Sequence, residues 1–159
     1  MRQHISQKLQ LFIRTRKILY KKFRKSSTRK YYEVVGMMRI RNEELILKDS
    51  LDHLSKYVDA IVIYDDKSTD DSLRIALNHP KVLTVLQNRW WRKNRTWEET
   101  ANRSVLLNEA KKLNPTWLFY VDADERFEGN IREFLHQSID KISGVRISLF
   151  DAYMTPEDN

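Results

Sequence analysis

Two acidic clusters stand out by residue type and spacing. They are Asp65-Asp66-Lys67-Ser68-Thr69-Asp70-Asp71-Ser72 and Val121-Asp122-Ala123-Asp124-Glu125. Each follows a short apolar run, residues 60–64 before the first and 116–120 before the second. Runs this short, rich in β-branched and aromatic residues, predict buried strands of a parallel sheet. In open α/β sheets ligands bind beyond the carboxyl ends of the strands. The two strands are therefore expected to bring carboxylates to one edge. Oxygen donors suit Mg²⁺ or Mn²⁺, and Mg²⁺ is commonly held by one or two carboxylates together with substrate phosphates. Asp122 and Asp124 are the candidate metal ligands, and chemistry on a phosphorylated donor follows. Such an ion would offset the charge on a departing diphosphate as a Lewis acid. Asp66 lies before the helix-capping Ser68 and Thr69, within reach of a ligand lying across the strand ends. There its carboxylate could accept the imide N–H of uracil or a donor of another base.

The elements that must position these groups alternate along the chain. A first strand is expected over 32–38. Asn42 is placed to cap the helix that follows, with Glu43 and Glu44 near its positive end. Leu47, Leu51, Leu54 and Val58 form that helix's buried stripe. After the second strand, Asp70 and Asp71 suit the first turn of a short helix near 70–78. A third strand is expected over 81–86. Thr96 and Glu99 form a capping box opening a helix that buries Leu106, Ala110 and Leu113. The fourth strand, 116–121, ends at Asp122, and a helix near 130–141 leads to a fifth strand over 145–150. Strands alternating with helices predict an α/β fold, a Rossmann-like, mainly parallel sheet with right-handed crossovers. Between the third strand and the next helix, Asn88–Trp97 packs three tryptophans with four Lys/Arg. This reads as a loop able to stack on a sugar or base and to pair with phosphate, or to fold over the core.

Charge is divided unevenly. Of 29 Lys/Arg, 11 fall in residues 1–30, which hold no acid; the other 18 face 22 Asp/Glu in the rest of the chain. The chain divides into a basic arm, 1–30, and a mildly acidic body, 31–159. Within the arm, Ile5, Leu9, Phe12, Ile13, Leu19, Tyr20 and Phe23 recur at near-helical spacing. An amphipathic helix over residues 4–25 is expected, packing on the body or a partner or making peripheral contact with anionic lipid. The basic footprint does not extend to the body, so nucleic acid is not the expected partner. With no cysteine, thiolate metal sites and disulfides are excluded. No apolar run approaches the roughly 20 residues that span a bilayer, and the N-terminus lacks the apolar stretch of a secretory signal. A cytoplasmic location is expected, peripheral on the inner face of the membrane. The four histidines share no spacing suited to a metal.

Taken together, Arg41-Asn42-Glu43, then Asp65-Asp66-x-Ser68-x-Asp70-x-Ser72, then Arg103 and Asp122-Ala123-Asp124-Glu125, resemble the motifs of family 2 glycosyltransferases. The resemblance covers roughly residues 33–150. It implies the A-type nucleotide-diphospho-sugar transferase fold and metal-dependent, inverting transfer from a nucleotide-diphospho-sugar to a glycan, lipid or protein acceptor, as in cell-envelope polysaccharide synthesis. By position, it implies that Asn42 lies near the nucleotide, Asp66 contacts the base, Arg103 lies near the donor, Asp122 contacts ribose or metal, and Asp124 is the principal metal ligand. The family often has glycine where Lys67 and Asp71 stand here. Family members also supply a catalytic carboxylate and an acceptor site well downstream of Asp-x-Asp. Asp151, Glu157 and Asp158 have no supporting motif, so no catalytic base is assigned, and the chain reads as the donor-binding half without the acceptor half. Two rivals remain: a haloacid-dehalogenase-type phosphatase, and an inactive nucleotide-binding or membrane-associated module.

Overall fold

The structure is a computed structural model, and it describes residues 18–23, 31–88 and 96–148. Strand β1 is Ile18–Phe23, β2 Val34–Ile40, β3 Ala60–Asp65, β4 Val82–Asn88 and β5 Trp117–Val121. Helix α1 is Leu47–Leu54, α2 Ser72–Asn78, α3 Thr96–Ala110, with a 3₁₀ turn over Lys111–Leu113, and α4 Ile131–Gln137. The five strands form one sheet in the order β1-β4-β3-β2-β5. β4, β3, β2 and β5 are all parallel, giving the Rossmann-like α/β arrangement.

The connections explain the layers. From β2 the chain steps through α1 to β3 and through α2 to β4, always in one direction. It then returns through α3 to the other side of β2 and enters β5. Right-handed crossovers in opposite directions place their helices on opposite faces. Side-chain alternation on the strands serves both faces. Val34, Met38, Ile40, Ile61 and Ile63 pack with Leu47, Leu51, Leu54 and Val58 of the α1 region. Val35, Met37, Val62 and Tyr64 pack with Leu106 and Ala110 of α3. At the centre, Gly36 keeps β2 close to α1: a Cβ there would stand 3.1 Å from Leu54 Cδ2.

Several expectations change. Residues 18–23 form a strand, not part of a helix over 4–25, and pair antiparallel with β4 from Ile18↔Asn88 to Phe23↔Thr84. An edge strand offers a row of unpaired N–H and C=O groups, and Ile-Leu-Tyr-Lys-Lys-Phe has the β-branched and aromatic content to meet them. The rest of the arm lies outside the described residues. The first strand runs two residues further than expected, so Arg39 belongs to it. Helix α1 begins at Leu47 with Ile46 at its N-cap, not at Asn42, which turns the chain with φ 55°. Asp70 and Asp71 precede α2 and do not form its first turn. Helix α3 opens at Thr96, whose side chain lies outside those described, and the Glu99 carboxylate faces Arg39 and Arg103. Residues 145–148 form no strand, and Val145 and Ile147 are exposed. A groove of about 1630 Å³, lined by Trp117, Phe119, Phe134, Val145 and Ile147, runs beside β5. Alternating side chains cannot make a strand where the main chain has no ladder to join.

Candidate functional site

The strand order reverses at β2, so the carboxyl ends of β2 and β5 flank the switch-point crevice where α/β sheets take ligands. Register determines what arrives there. Arg39 pairs with Tyr64, and Tyr64 with Leu86, on the face covered by α3. One step on, the Asp66 N–H donates to Ile40 O (2.9 Å), carrying the ladder past the end of β3. Met38↔Val121 is the last pair of β2 with β5, so Asp122 leaves the sheet beside Arg39.

Asp66 is 1% exposed. Its carboxylate accepts from Arg39 Nη2 (3.2 Å) and Asn88 Nδ2 (2.8 Å), while Arg41 Nη1 donates to its carbonyl (2.9 Å). A base can use this carboxylate only if one of these donors yields. Asp65 is likewise buried: Oδ1 accepts from the Ser68 N–H and hydroxyl, and Oδ2 from Gln87 Nε2.

The loop after β2 is stitched to the loop after β3. Asn42 N–H donates to Ser68 Oγ (3.0 Å), and Thr69 N–H donates to Asn42 Oδ1 (2.8 Å). Glu43 N–H donates to Ser72 Oγ (2.7 Å), Glu44 N–H to Asp70 Oδ2 (3.1 Å), and Asp71 N–H to Glu44 Oε2 (2.9 Å). Burial works against the ionised Asp70, but the Ser72 and Glu44 donors hold its carboxyl below the ordinary range. Asn42 is thus exposed at the crevice rim with its amide oxygen occupied by the neighbouring loop. Lys67 adopts φ 61°, the left-handed conformation that glycine takes without penalty.

The Asp-x-Asp loop rests on α1. Ser50, buried at 2%, donates to Ala123 O, and Arg126 reaches Asp49 Oδ2 (2.7 Å). Phe127 N–H donates to His53 Nε2 (2.9 Å), and the Tyr57 hydroxyl donates to Phe127 O (2.8 Å). Between these anchors Ala123 is buried while Asp122 and Asp124 stay exposed. Glu125 Oε2 accepts the Asp122 N–H (2.9 Å) and closes the turn. Glu43 comes from the opposite loop to face the pair. Desolvation, then the charges of Asp124, Asp70 and Asp122, raise its carboxyl above the usual value. Burial and the neighbouring Asp122 raise the Tyr120 phenol; Arg103 and Arg39 act the other way. Among the described residues no group of three or more His, Asp or Glu is drawn together as a ready metal cage. The donor set still fits a hard cation. It is all oxygen, two members are open to a ligand, and the mutual repulsion registered at Glu43 is what a cation between the loops would relieve.

Arg103 lies on α3, its guanidinium 4.7 Å from the centroid of the Tyr120 ring. Its Nη2 is 2.8 Å from Glu99 Oε1, and the same oxygen is 3.6 Å from Arg39 Nη1. Asn102 accepts from the Tyr64 hydroxyl (3.0 Å), and its buried Nδ2 has no partner among the described residues. Asp66, Arg39, Glu99, Arg103 and Tyr120 therefore form one continuous chain of contacts that ends two residues before Asp122. Sequence reasoning missed Arg39, Glu99 and Tyr120 as members. A lone arginine inside the apolar run 34–40 was the available signal. Tryptophans 90, 91 and 97 lie outside the side chains described.

Fold and site together define a Rossmann-like α/β protein with an acidic, oxygen-rich crevice flanked by arginines. No family model matches the chain. Over 128 residues, 78% of the chain, it is 32% identical to an uncharacterized protein of Mycobacterium bovis and, to the same extent, to one of Mycobacterium tuberculosis. The match covers 31% of each relative, so the chain spans about a third of their length.

Proposed function

We propose that this chain is the donor-binding part of a family 2 glycosyltransferase. In this reading it binds a nucleotide-diphospho-sugar for inverting transfer to a glycan, lipid or protein hydroxyl. The observation that carries the reading is the placing of Asp122 and Asp124, both exposed after the carboxyl end of β5, at the switch-point crevice where Arg39 and Arg103 converge on Glu99. Carboxylates alone would repel a diphosphate; carboxylates that hold Mg²⁺ or Mn²⁺ beside two guanidiniums attract it. Asp122 and Asp124 would hold the ion, which when bound supplies Lewis-acid stabilisation of the leaving diphosphate. Asn42 and the loop stapled to it form the rim for the nucleoside. Asp66 orients Arg39 and, where a donor yields, accepts from the base. The test is calorimetric titration of UDP and GDP with Mn²⁺ and with a chelator. Cation-dependent binding is expected. Equal affinity in both conditions would overturn the metal assignment, and no binding in either would overturn the donor reading.

A second reading concerns the arm. Among the described residues no helix is long and apolar enough to cross a membrane. The 11 Lys/Arg of residues 1–30 nonetheless favour peripheral contact with anionic lipid. Salt-sensitive co-sedimentation with anionic but not neutral vesicles is the expected result, weakened on deleting residues 1–17, which removes 5 of the 11 Lys/Arg and leaves β1 in place. Equal binding by both chains would show that residues 1–17 add nothing to membrane contact.

A further inference from the structure

Arg39 and Arg103 come from different elements, β2 and α3, yet meet at one carboxylate oxygen, Glu99 Oε1. Each arginine also has an anchor of its own. Arg39 Nη2 is held 3.2 Å from Oδ2 of the buried Asp66, and Arg103 is stacked on Tyr120. Glu99 differs from these anchors. Its side chain is 42% exposed, and it can swing to water, whereas that of Asp66, at 2%, cannot. The arginine side chains are themselves 29% and 49% exposed, and a guanidinium has five N–H donors, more than these contacts occupy. Arg103 lies over the ring of Tyr120, two residues before Asp122, so the pair stands beside the acidic loop. Three residues beyond Glu99 on α3, and so on nearly the same face, Asn102 carries the unpartnered Nδ2 donor.

We propose that Arg39 and Arg103 form a clamp for a diphosphate, and that Glu99 is an internal counter-anion occupying the clamp until the diphosphate displaces it. The proposal deepens the nucleotide-diphospho-sugar reading and rests on it for the identity of the ligand. The exchange is favourable on chemical grounds. One carboxylate oxygen serves both cations at unequal distances, while a diphosphate carries more charge and offers several oxygens to planar guanidinium forks. Without a ligand, Glu99 makes the approach of two like charges tolerable. Once the diphosphate is bound, that role passes to the ligand and Glu99 turns to solvent. The consequence runs against the usual effect of mutating a site residue: removing the Glu99 charge should strengthen ligand binding.

The experiment titrates inorganic pyrophosphate and UDP, each with Mn²⁺, into the full chain, Glu99→Gln and Arg39→Gln. Circular dichroism confirms that each variant is folded. Glu99→Gln is expected to bind both probes more tightly, by roughly two- to thirtyfold, the worth of two partly exposed ion pairs. Arg39→Gln is expected to weaken both. Unchanged or weaker binding by Glu99→Gln overturns the counter-anion role. If UDP still binds the full chain in that case, the donor reading stands without the clamp. If pyrophosphate binds, tightens in Glu99→Gln, and UDP binds no better than pyrophosphate, the clamp stands and the nucleotide reading falls. No binding of either probe to any chain overturns both.

Discussion

Replacing Asp66 by asparagine separates a structural carboxylate from a ligand-binding one. The change keeps shape and volume, so no cavity opens and the loss is electrostatic. Asp66 Oδ1 accepts from Asn88 Nδ2 at 2.8 Å with both residues about 1% exposed. A hydrogen bond to a charged group is worth about 1.5–3 kcal/mol. The ion pair to Arg39 is half-open, with the arginine 29% exposed and a second carboxylate at hand, so it contributes less than the roughly 3–5 kcal/mol lost on breaking a fully buried pair. A total near 2–4 kcal/mol follows. With a urea dependence of about 2 kcal/mol/M, the middle of the usual range, the unfolding midpoint should fall by about 1–2 M. Urea titration followed by far-ultraviolet circular dichroism measures this directly. Asp124→Asn serves as the exposed control, expected to lie within about 0.5 kcal/mol of the parent chain. A midpoint for Asp66→Asn within about 0.3 M of the parent would refute the reasoning. It would mean that the contacts with Arg39 and Asn88 add little and that the carboxylate is free for a ligand.

Asp124→Asn should leave stability within about 0.5 kcal/mol of the parent, because the side chain is exposed and its charge repels Glu43. The same variant should lose the effect of Mn²⁺ on nucleoside diphosphate affinity, as calorimetry would record. Burial alone would raise the Asp59 carboxyl, but donation from Arg132 (2.7 Å) and from the Val34 and Glu33 N–H groups holds it below its ordinary value of 3.8. Its contribution to stability is therefore present above pH 3.8 and lost as pH falls through the lower folded value. Asp59→Asn should cost about 1–3 kcal/mol at pH 7, with the gap closing in acid denaturant titrations. Gly36→Val should destabilise by about 1–3 kcal/mol through overpacking, since even a Cβ meets Leu54 Cδ2 at 3.1 Å and Val58 Cγ1 at 3.4 Å. A thermal midpoint equal to that of the parent chain would show that α1 moves away at no cost.

What the sequence determined by itself was whatever repeats locally. Short apolar runs rich in β-branched and aromatic residues marked the strands around Ala60–Tyr64 and Thr116–Val121, and helical spacing marked Leu47, Leu51, Leu54 and Val58, all at most 1% exposed. The strand-end positions of Asp122 and Asp124 followed from the same local pattern. Tertiary structure decided everything that depends on a neighbour far along the chain. Ile18–Phe23 had helical spacing, yet the open edge of β4 supplied main-chain partners that a helix on water could not match. Asp66 and Asp124 are the same residue type at similar strand ends. Only the cross-strand rung that brings Arg39 and Asn88 to one makes the first a buried anchor, while the second stays an open carboxylate. Glu43 and Glu99 were legible only as helix-end acids and as part of a motif, because their places at the crevice arise from charges on other loops and helices. Coulomb energy depends on distance through space, and a linear sequence encodes that distance only once the sheet order is set.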